Sequence, residues 1–110
     1  MAIGRRWAVK DRHGNTIYLT DERWEHIIDP WNHPEMRNFE AHLRDTIRLG
    51  QRKQEPLNFH KYRYSKSFDD LVGDNTHIVA IVLFKFREVN GHEIANNYIL
   101  TAYQKEILTI

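Results

Sequence analysis

The sequence contains no cysteine, and this absence removes several kinds of chemistry together. Without thiols there is no disulfide framework, no thiolate nucleophile and no zinc site built from cysteine. The sequence also lacks the glycine-rich loops that bind phosphates or dinucleotides, and the Gly-x-Ser-x-Gly turn of serine hydrolases. Any catalysis must therefore depend on histidine, carboxylate, lysine, arginine or hydroxyl groups.

Long apolar runs are also missing. No stretch approaches the roughly 20 apolar residues that cross a bilayer, and the opening residues MAIGRRW lack the apolar region of a secretory signal. The chain has 110 residues, of which 41% are hydrophobic and 28% charged, as in ordinary folded domains. We therefore predict one domain over residues 1–110, without membrane association and located in the cytoplasm.

Neither sign of charge dominates, since the formal net charge is +1. The field of the whole molecule therefore gives no argument for a nucleic-acid partner. Between residues 44 and 66, however, seven basic residues accompany only two acidic ones, and one side of the folded domain is expected to be positive. The seven histidines show neither the i, i+4 spacing nor the compact grouping with carboxylates of a zinc or iron site. We predict neither a metal site nor a cofactor.

The clearest structural signal is a hairpin in the last third of the chain. Two strands, at residues 77–87 and 97–103, flank Asn90 and Gly91, which readily take the positive φ angles of a tight hairpin turn. A shorter hairpin is predicted at residues 7–19, and a further strand of aromatic and basic residues at residues 56–66.

Two helices are predicted between the hairpins. Thr20 is a suitable N-cap for the first, which must end near Asp29 because Pro30 disfavours helical geometry in the residue before it. The second runs from about Glu35 to Leu49. Apolar residues at helical spacing mark the buried faces, namely Trp24, Ile27 and Ile28 in the first helix and Met36, Phe39, Leu43 and Ile47 in the second. The predicted fold class is α+β, with a short N-terminal hairpin and two helices packed on a mainly antiparallel sheet.

Alternation along the strands predicts which side chains share a face. On the strand from residue 57, Lys61 and Arg63 lie opposite Tyr62. On the last strand, alternation places Tyr98, Leu100 and Ala102 on one face, and Asn97, Ile99, Thr101 and Tyr103 on the other. We expect the polar sets of neighbouring strands to meet on one exposed surface of the sheet.

The basic and aromatic strand at residues 59–66 suits single-stranded RNA, because Lys and Arg neutralise phosphates while Tyr and Phe stack on unpaired bases. The alternative is an edge strand whose charges maintain solubility. Among the histidines, His26 and His33 are the acid and base candidates. A half-buried helix residue is the alternative for His26, and a helix cap or turn contact for His33.

The order of short motifs along residues 17–104 resembles the phage-associated branch of the barnase, EndoU, colicin and RelE (BECR) ribonuclease fold. The motifs in chain order are Tyr18-Leu-Thr20, Trp24-Glu-His26-Ile27, His33-Pro34-Glu35-Met36, Tyr62-Arg63-Tyr64 and Thr101-Ala-Tyr103. The resemblance implies a pair of helices followed by an antiparallel sheet, and metal-independent cleavage of RNA by toxins or phage-linked effectors. It also implies catalytic roles for His26, His33, Arg63, Thr101 and Tyr103.

The resulting hypothesis is an RNA endonuclease in which the ribose 2′-hydroxyl attacks the adjacent phosphorus and leaves a 2′,3′-cyclic phosphate. The expected substrate-binding residues are Lys61, Tyr62, Lys66 and Lys85. RNA is then the principal partner, together with a cognate inhibitor of the antitoxin or immunity type. Two alternatives stay open, a non-catalytic RNA-binding module and a protein-interaction module. In the latter, a second copy or an inhibitor covers the apolar strand face of Val79, Ile81 and Leu83.

Overall fold

A hairpin opens the chain, and its second strand leads directly into a helix. In the computed structural model, which describes residues 4–108, strand β1 is Arg5–Lys10, strand β2 is Thr16–Thr20 and helix α1 is Asp21–Ile28. Thr20 caps α1, because its hydroxyl accepts a hydrogen bond from Arg23 N at 3.0 Å. The predicted hairpin and first helix are confirmed.

Four further strands complete one six-stranded sheet. They are β3 at Gln51–Glu55, β4 at Asn58–Ser67, β5 at His77–Val89 and β6 at His92–Lys105. The strand order is β1-β2-β6-β5-β4-β3, and every pair is antiparallel except β2 with β6. The predicted β5–β6 hairpin is confirmed, with φ angles of 52° at Asn90 and 78° at Gly91. The fold is α+β with a mixed sheet, and β3 is a strand that the sequence did not predict.

The second helical segment is divided in two, so the prediction of one helix from about Glu35 to Leu49 is wrong at its start. Pro34–Asn38 forms a short 3-10 helix, and the second α-helix, α2, is Glu40–Leu49. Phe39 separates them with non-helical backbone angles. The 3-10 helix packs against α1 and β6, whereas α2 packs on β4 and β5. One straight helix cannot pack both against β6 and against β4 and β5.

A bulge in β6 changes which side chains share a face. Between the residues that pair with Ile81 and Val82 of β5, strand β6 has one extra residue, Leu100. A bulge of this kind shifts the alternation of the strand by one residue. The prediction that Tyr98 lies on the face of Ala102 is therefore wrong. One face of β6 carries Asn96, Tyr98, Thr101 and Tyr103.

The hydrophobic core lies between the helices and the face of the sheet opposite to Tyr98, Thr101 and Tyr103. Its fully buried members come from the strands and both α-helices, and they include Ile17, Leu19, Ile27, Leu43, Ile47, Ile78, Val82 and Ile99. No helix of the described residues covers the face that carries Tyr98, Thr101 and Tyr103. None of the helices formed by residues 4–108 has the length and apolar character needed to span a membrane.

Candidate nucleic-acid interface

The face of the sheet that is turned away from the core, which we call the open face, carries most of the basic strand residues. Pairing register and alternation assign its members. Its basic side chains and tyrosines are Arg5, Lys10, Lys53, Lys61, Arg63, Lys85, Arg87, Lys105, Tyr18, Tyr98 and Tyr103. Among the strand residues of the described chain, Glu55 alone places a carboxylate at this face. The open face is therefore strongly positive in a protein of nearly neutral net charge.

An apolar strip runs along β5 in the middle of the open face. It consists of Val79, Ile81 and Leu83, and the first two are only 1% and 7% exposed. Side chains of β4 and β6 flank the strip on both sides. These residues are thus largely buried within one copy of the chain. The strip therefore does not need a second subunit or an inhibitor to cover it, in contrast to the expectation from the sequence.

Arg63 and Thr101 lie on opposite sides of the strip, because each is in register with Ile81. Two spacings between strands place their Cα atoms about 10 Å apart. The Arg63 guanidinium is held at the β3 side, where its Nη2 lies 3.1 Å from Glu55 Oε1. Lys61 follows on the same face of β4. The structure thus brings Arg63, Lys61 and Thr101 to one surface.

His33 reaches this surface at the edge of the sheet, just before the 3-10 helix. Its ring centroid is 5.5 Å from that of Tyr103, with an angle of 34° between the planes. Its Nδ1 lies 3.6 Å from Glu35 Oε1, and its backbone nitrogen donates to Ile27 O at 2.9 Å, which anchors the loop to α1. Thr101 precedes Tyr103 on the same face. An imidazole, a carboxylate, a phenol and a hydroxyl are therefore grouped beside the apolar strip.

His26 does not belong to this group. The buried residues of α1 are Trp24, Ile27 and Ile28, and His26 lies on the opposite, solvent-facing side of the helix. Within residues 4–108, no hydrogen bond, ion pair or ring contact joins its side chain to His33 or to the open face. The structure therefore does not bring His26 and His33 together as the acid and base pair that the sequence suggested.

Two of the expected substrate-binding residues, Tyr62 and Lys66, point to the core face of β4. The ring of Tyr62 lies 4.6 Å from that of Phe84, and Arg52 Cζ is 4.7 Å from its centroid. Lys66 Nζ lies 4.4 Å from the centroid of Phe68. Both side chains therefore make contacts within the fold, in contrast to Lys61 and Lys85 on the open face.

The open face carries a second aromatic group, which the sequence did not predict. The rings of Tyr18 and Tyr98 are 6.0 Å apart, and Arg5 Cζ lies 4.0 Å from the centroid of Tyr18. The Tyr18 hydroxyl donates to Asn96 Oδ1 at 2.8 Å, which fixes the ring across β2 and β6. The alternation of β2 could have predicted the position of Tyr18, because it stands between the apolar residues Ile17 and Leu19. Both neighbours are fully buried, so Tyr18 lies on the opposite face.

The groups with shifted pKa values lie away from the open face. Burial raises the pKa of Tyr64, and its hydrogen bond to Asp11 raises it further. Burial acts against the Asp11 carboxylate, but hydrogen bonds from Tyr64, Asn15 and His13 outweigh it and lower the pKa of Asp11. A hydrogen bond from Arg6 lowers the pKa of Glu40. These groups fasten the β1–β2 hairpin to the rest of the fold.

Residues 4–108 contain no group of three or more His, Asp or Glu side chains arranged to hold a metal ion. The candidate interface therefore consists of the open face, with its basic and tyrosine side chains, and of His33 at its edge. No protein-family model, curated protein or solved structure matches this chain.

Proposed function

We propose that this protein binds single-stranded RNA along its open face. One observation supports the proposal above all others: among the strand residues of the described chain, eight basic side chains and three tyrosines share this face with one carboxylate, Glu55. Arginine and lysine neutralise phosphates, and tyrosine rings stack on unpaired bases. The strip of Val79, Ile81 and Leu83 separates the polar rows of β4 and β6.

A single strand fits this surface better than a duplex. The open face is a sheet surface flanked by side chains, and no described helix projects from it to enter a groove. Tyr18, Tyr98 and Tyr103 can stack only on bases that are not already paired and stacked. The expected ligand is therefore an unpaired segment of several nucleotides.

Binding is tested with a fluorescent RNA oligonucleotide, the same sequence as a duplex, and the matching single-stranded DNA, each at a series of salt concentrations. We expect the single strands to bind more tightly than the duplex, with an affinity that falls linearly in a log–log plot against salt. If none of the three nucleic acids binds at low salt, the RNA-binding proposal is wrong.

A second function, cleavage of the bound RNA, is favoured by the contact between His33 and Tyr103 at the edge of the open face. In the proposed reaction His33 removes the proton of a ribose 2′-hydroxyl, and the new O2′–P bond forms as the P–O5′ bond breaks. The Tyr103 hydroxyl gives a proton to the departing O5′, and Arg63 stabilises charge on the phosphoryl oxygens. Glu35, 3.6 Å from His33 Nδ1, stabilises the imidazolium that forms. The products are a 2′,3′-cyclic phosphate and a 5′-hydroxyl.

The resemblance to the BECR ribonucleases implies the same reaction. We propose that this chain is related to those enzymes and shares their activity. Two helices placed before a run of antiparallel strands support it in outline. A toxin-like nuclease also predicts that expression of the chain arrests growth, and that a cognate inhibitor relieves the arrest.

Cleavage is tested by incubating end-labelled RNA with the purified protein in the presence of EDTA. We expect fragments that end in a 2′,3′-cyclic phosphate, and matching DNA that stays intact because it lacks the attacking hydroxyl. RNA that is bound but remains uncut would leave a non-catalytic RNA-binding protein. Fragments with 3′-hydroxyl ends would require a different mechanism.

A further inference from the structure

A cleft separate from the His33 site lies where the β1–β2 turn meets the beginning of β3 and the adjoining ends of β4 and β5. Its volume is about 390 Å³, within the range of small-ligand sites. The polar residues that line it are Arg12, Gln51, Ser65, Lys66, Ser67 and His77. We call it the anion cleft. None of these lining residues carries a carboxylate, and Asp69 lines an adjoining hollow that shares Lys66 and Ser67 with the cleft.

The two cations of the anion cleft, Arg12 and Lys66, have no acidic partner in the described part of the chain. Within residues 4–108, neither Arg12 nor Lys66 nor His77 forms an ion pair with a carboxylate. Lys66 Nζ is held near the cleft by Phe68, whose ring centroid is 4.4 Å away, and by a contact of 3.4 Å with Ser67 O. Unpaired positive charge around a concave site favours an anionic ligand.

The orientation of His77 leaves one ring nitrogen for a ligand in the cleft. Its Nδ1 lies 2.7 Å from Thr76 Oγ1, which already accepts from Ile107 N at 2.9 Å. Nδ1 is therefore engaged, whereas Nε2 makes no hydrogen bond within residues 4–108 and is the ring nitrogen left for a ligand. The hydroxyls of Ser65 and Ser67 also remain available, since they make no side-chain hydrogen bond within residues 4–108. The cleft thus offers charged and neutral donors together.

The shape of the cleft depends on Gly50, at the end of α2. A Cβ atom at this position would lie 2.3 Å from Thr46 O and 2.6 Å from Ser65 O, which is too close for any other residue. The glycine allows the chain that leaves α2 to pass directly against β4. This close approach places Gln51 beside Ser65 at the floor of the cleft.

We propose that the anion cleft binds the terminal phosphate of an RNA strand that lies on the open face, an inference that rests on the proposed function. Ser65, Ser67 and His77 belong to the open face, whereas Lys66 lines the cleft from the other side of β4. Ser65 is two residues beyond Arg63 on β4, a distance of about 7 Å. A terminal phosphate monoester carries more charge than an internal diester and accepts more hydrogen bonds. It therefore matches a site with several donors and no carboxylate.

The test compares one oligonucleotide in three forms, with a 5′-phosphate, with a 3′-phosphate and with hydroxyls at both ends. The 2′-O-methyl version is used throughout because it cannot be cleaved. We expect one phosphorylated form to bind about tenfold more tightly than the hydroxyl form, as one or two charge-assisted hydrogen bonds would achieve. The form that binds more tightly identifies the end that enters the cleft.

Two variants assign the effect to the cleft. The advantage of the phosphorylated form should disappear in the double variant Arg12→Gln/Lys66→Gln, whereas the affinity for the hydroxyl form should change by less than the phosphate advantage. It should persist in Arg37→Gln, which removes an exposed cation from the 3-10 helix. Equal affinities of the wild type for all three forms would overturn the cleft proposal while leaving RNA binding on the open face intact.

An NMR titration with inorganic phosphate, followed at the ring signals of His77, separates the two proposals further. Shifts in the wild type that vanish in the double variant support the anion cleft even if no RNA binds to the open face. A spectrum of His77 that does not respond to phosphate, together with no preference for phosphorylated RNA, would exclude the cleft as an anion site.

Discussion

The ring of His33 lies 5.5 Å from the ring of Tyr103, although one precedes a 3-10 helix and the other is near the end of the last strand. The contact arises because the loop after α1 is tied to the helix through a hydrogen bond from His33 N to Ile27 O. It places an imidazole, a group that can accept or donate a proton, at the edge of a positively charged sheet surface. This relationship is the basis of the catalytic proposal.

We expect the variant His33→Phe to lose RNA cleavage while it keeps RNA binding. Phenylalanine preserves an aromatic ring against Tyr103 but cannot accept or donate a proton, and loss of a general acid or base lowers rates by about 10²- to 10⁴-fold. The measurement is the rate of cleavage at saturating protein, with binding followed by anisotropy. Cleavage at the wild-type rate would exclude His33 from the chemistry.

The variant His26→Ala distinguishes the sequence-based pairing of two histidines from the site that the geometry favours. His26 faces solvent on the side of α1 away from its buried residues, so we expect cleavage within about threefold of wild type, well short of the 10²-fold loss of a general acid or base. A loss as large as that of His33→Phe would instead show that both imidazoles take part in the reaction.

Replacing Lys61 by glutamine should weaken RNA binding through charge alone. Lys61 lies on the open face and makes no ion pair within residues 4–108, so its removal leaves no carboxylate without a partner. One phosphate contact fewer should reduce the slope of log K against log salt by about 0.7. The control is Arg48→Gln, which removes an exposed cation of α2, paired with Asp45, from behind the opposite face of the sheet. Equal effects of both variants would mean that the open face is not the binding surface.

The sequence predicted those elements whose signals are local. Asn90 and Gly91 specify the β5–β6 turn by their own backbone preferences, and Thr20 and Pro30 mark the ends of α1 in the same way. Strand β3 carries no such signal. Its residues, QRKQE, show no apolar alternation, because an edge strand can be held by backbone pairing with β4 alone.

The candidate site was less predictable, since it depends on long-range register. The bulge at Leu100 reverses the relation between Tyr98 and Ala102, and simple alternation in one strand cannot detect an extra residue that only the partner strand reveals. The contact between His33 and Tyr103 likewise depends on how α1 meets the edge of β6. The basic and aromatic composition of β4 led to the RNA hypothesis, whereas the fold decides which side chains of β4 lie on the open face.

The buried hydrogen bond between Tyr64 and Asp11 should contribute to stability and leave RNA cleavage unchanged. Asp11 is 7% exposed and accepts hydrogen bonds from His13 N at 2.9 Å and Asn15 N at 2.8 Å as well. Asparagine has no negative charge and only one side-chain acceptor oxygen, so it cannot accept all of these hydrogen bonds. We therefore expect Asp11→Asn to lower the free energy of unfolding by about 1–3 kcal/mol. Urea denaturation at pH 7 measures the loss. A smaller loss is expected for Tyr64→Phe, because the carboxylate keeps its other donors; the opposite order would contradict this account.

The ion pair of Glu40 with Arg6 should make stability depend on pH in the acid range. The hydrogen bond from Arg6 is the largest influence on Glu40, and although burial acts in the opposite direction, the pKa of Glu40 in the folded state lies below its ordinary value of 4.5. A carboxylate whose pKa is lowered on folding stabilises the protein above its unfolded pKa. That contribution disappears as the pH falls through the folded pKa.

The variant Glu40→Gln tests this contribution. It should lose about 1 kcal/mol of unfolding free energy at pH 7, because Arg6 and Trp7 Nε1 both donate to the carboxylate, and the difference from wild type should shrink once the pH is below the folded pKa. Urea denaturation of both proteins at pH 7 and at several acid pH values measures the difference. The matched control is Asp45→Asn, whose partner Arg48 is 50% exposed, so the loss should be small at every pH. A Glu40→Gln deficit that stayed constant down to acid pH would show that the effect is one of packing rather than of the charged pair.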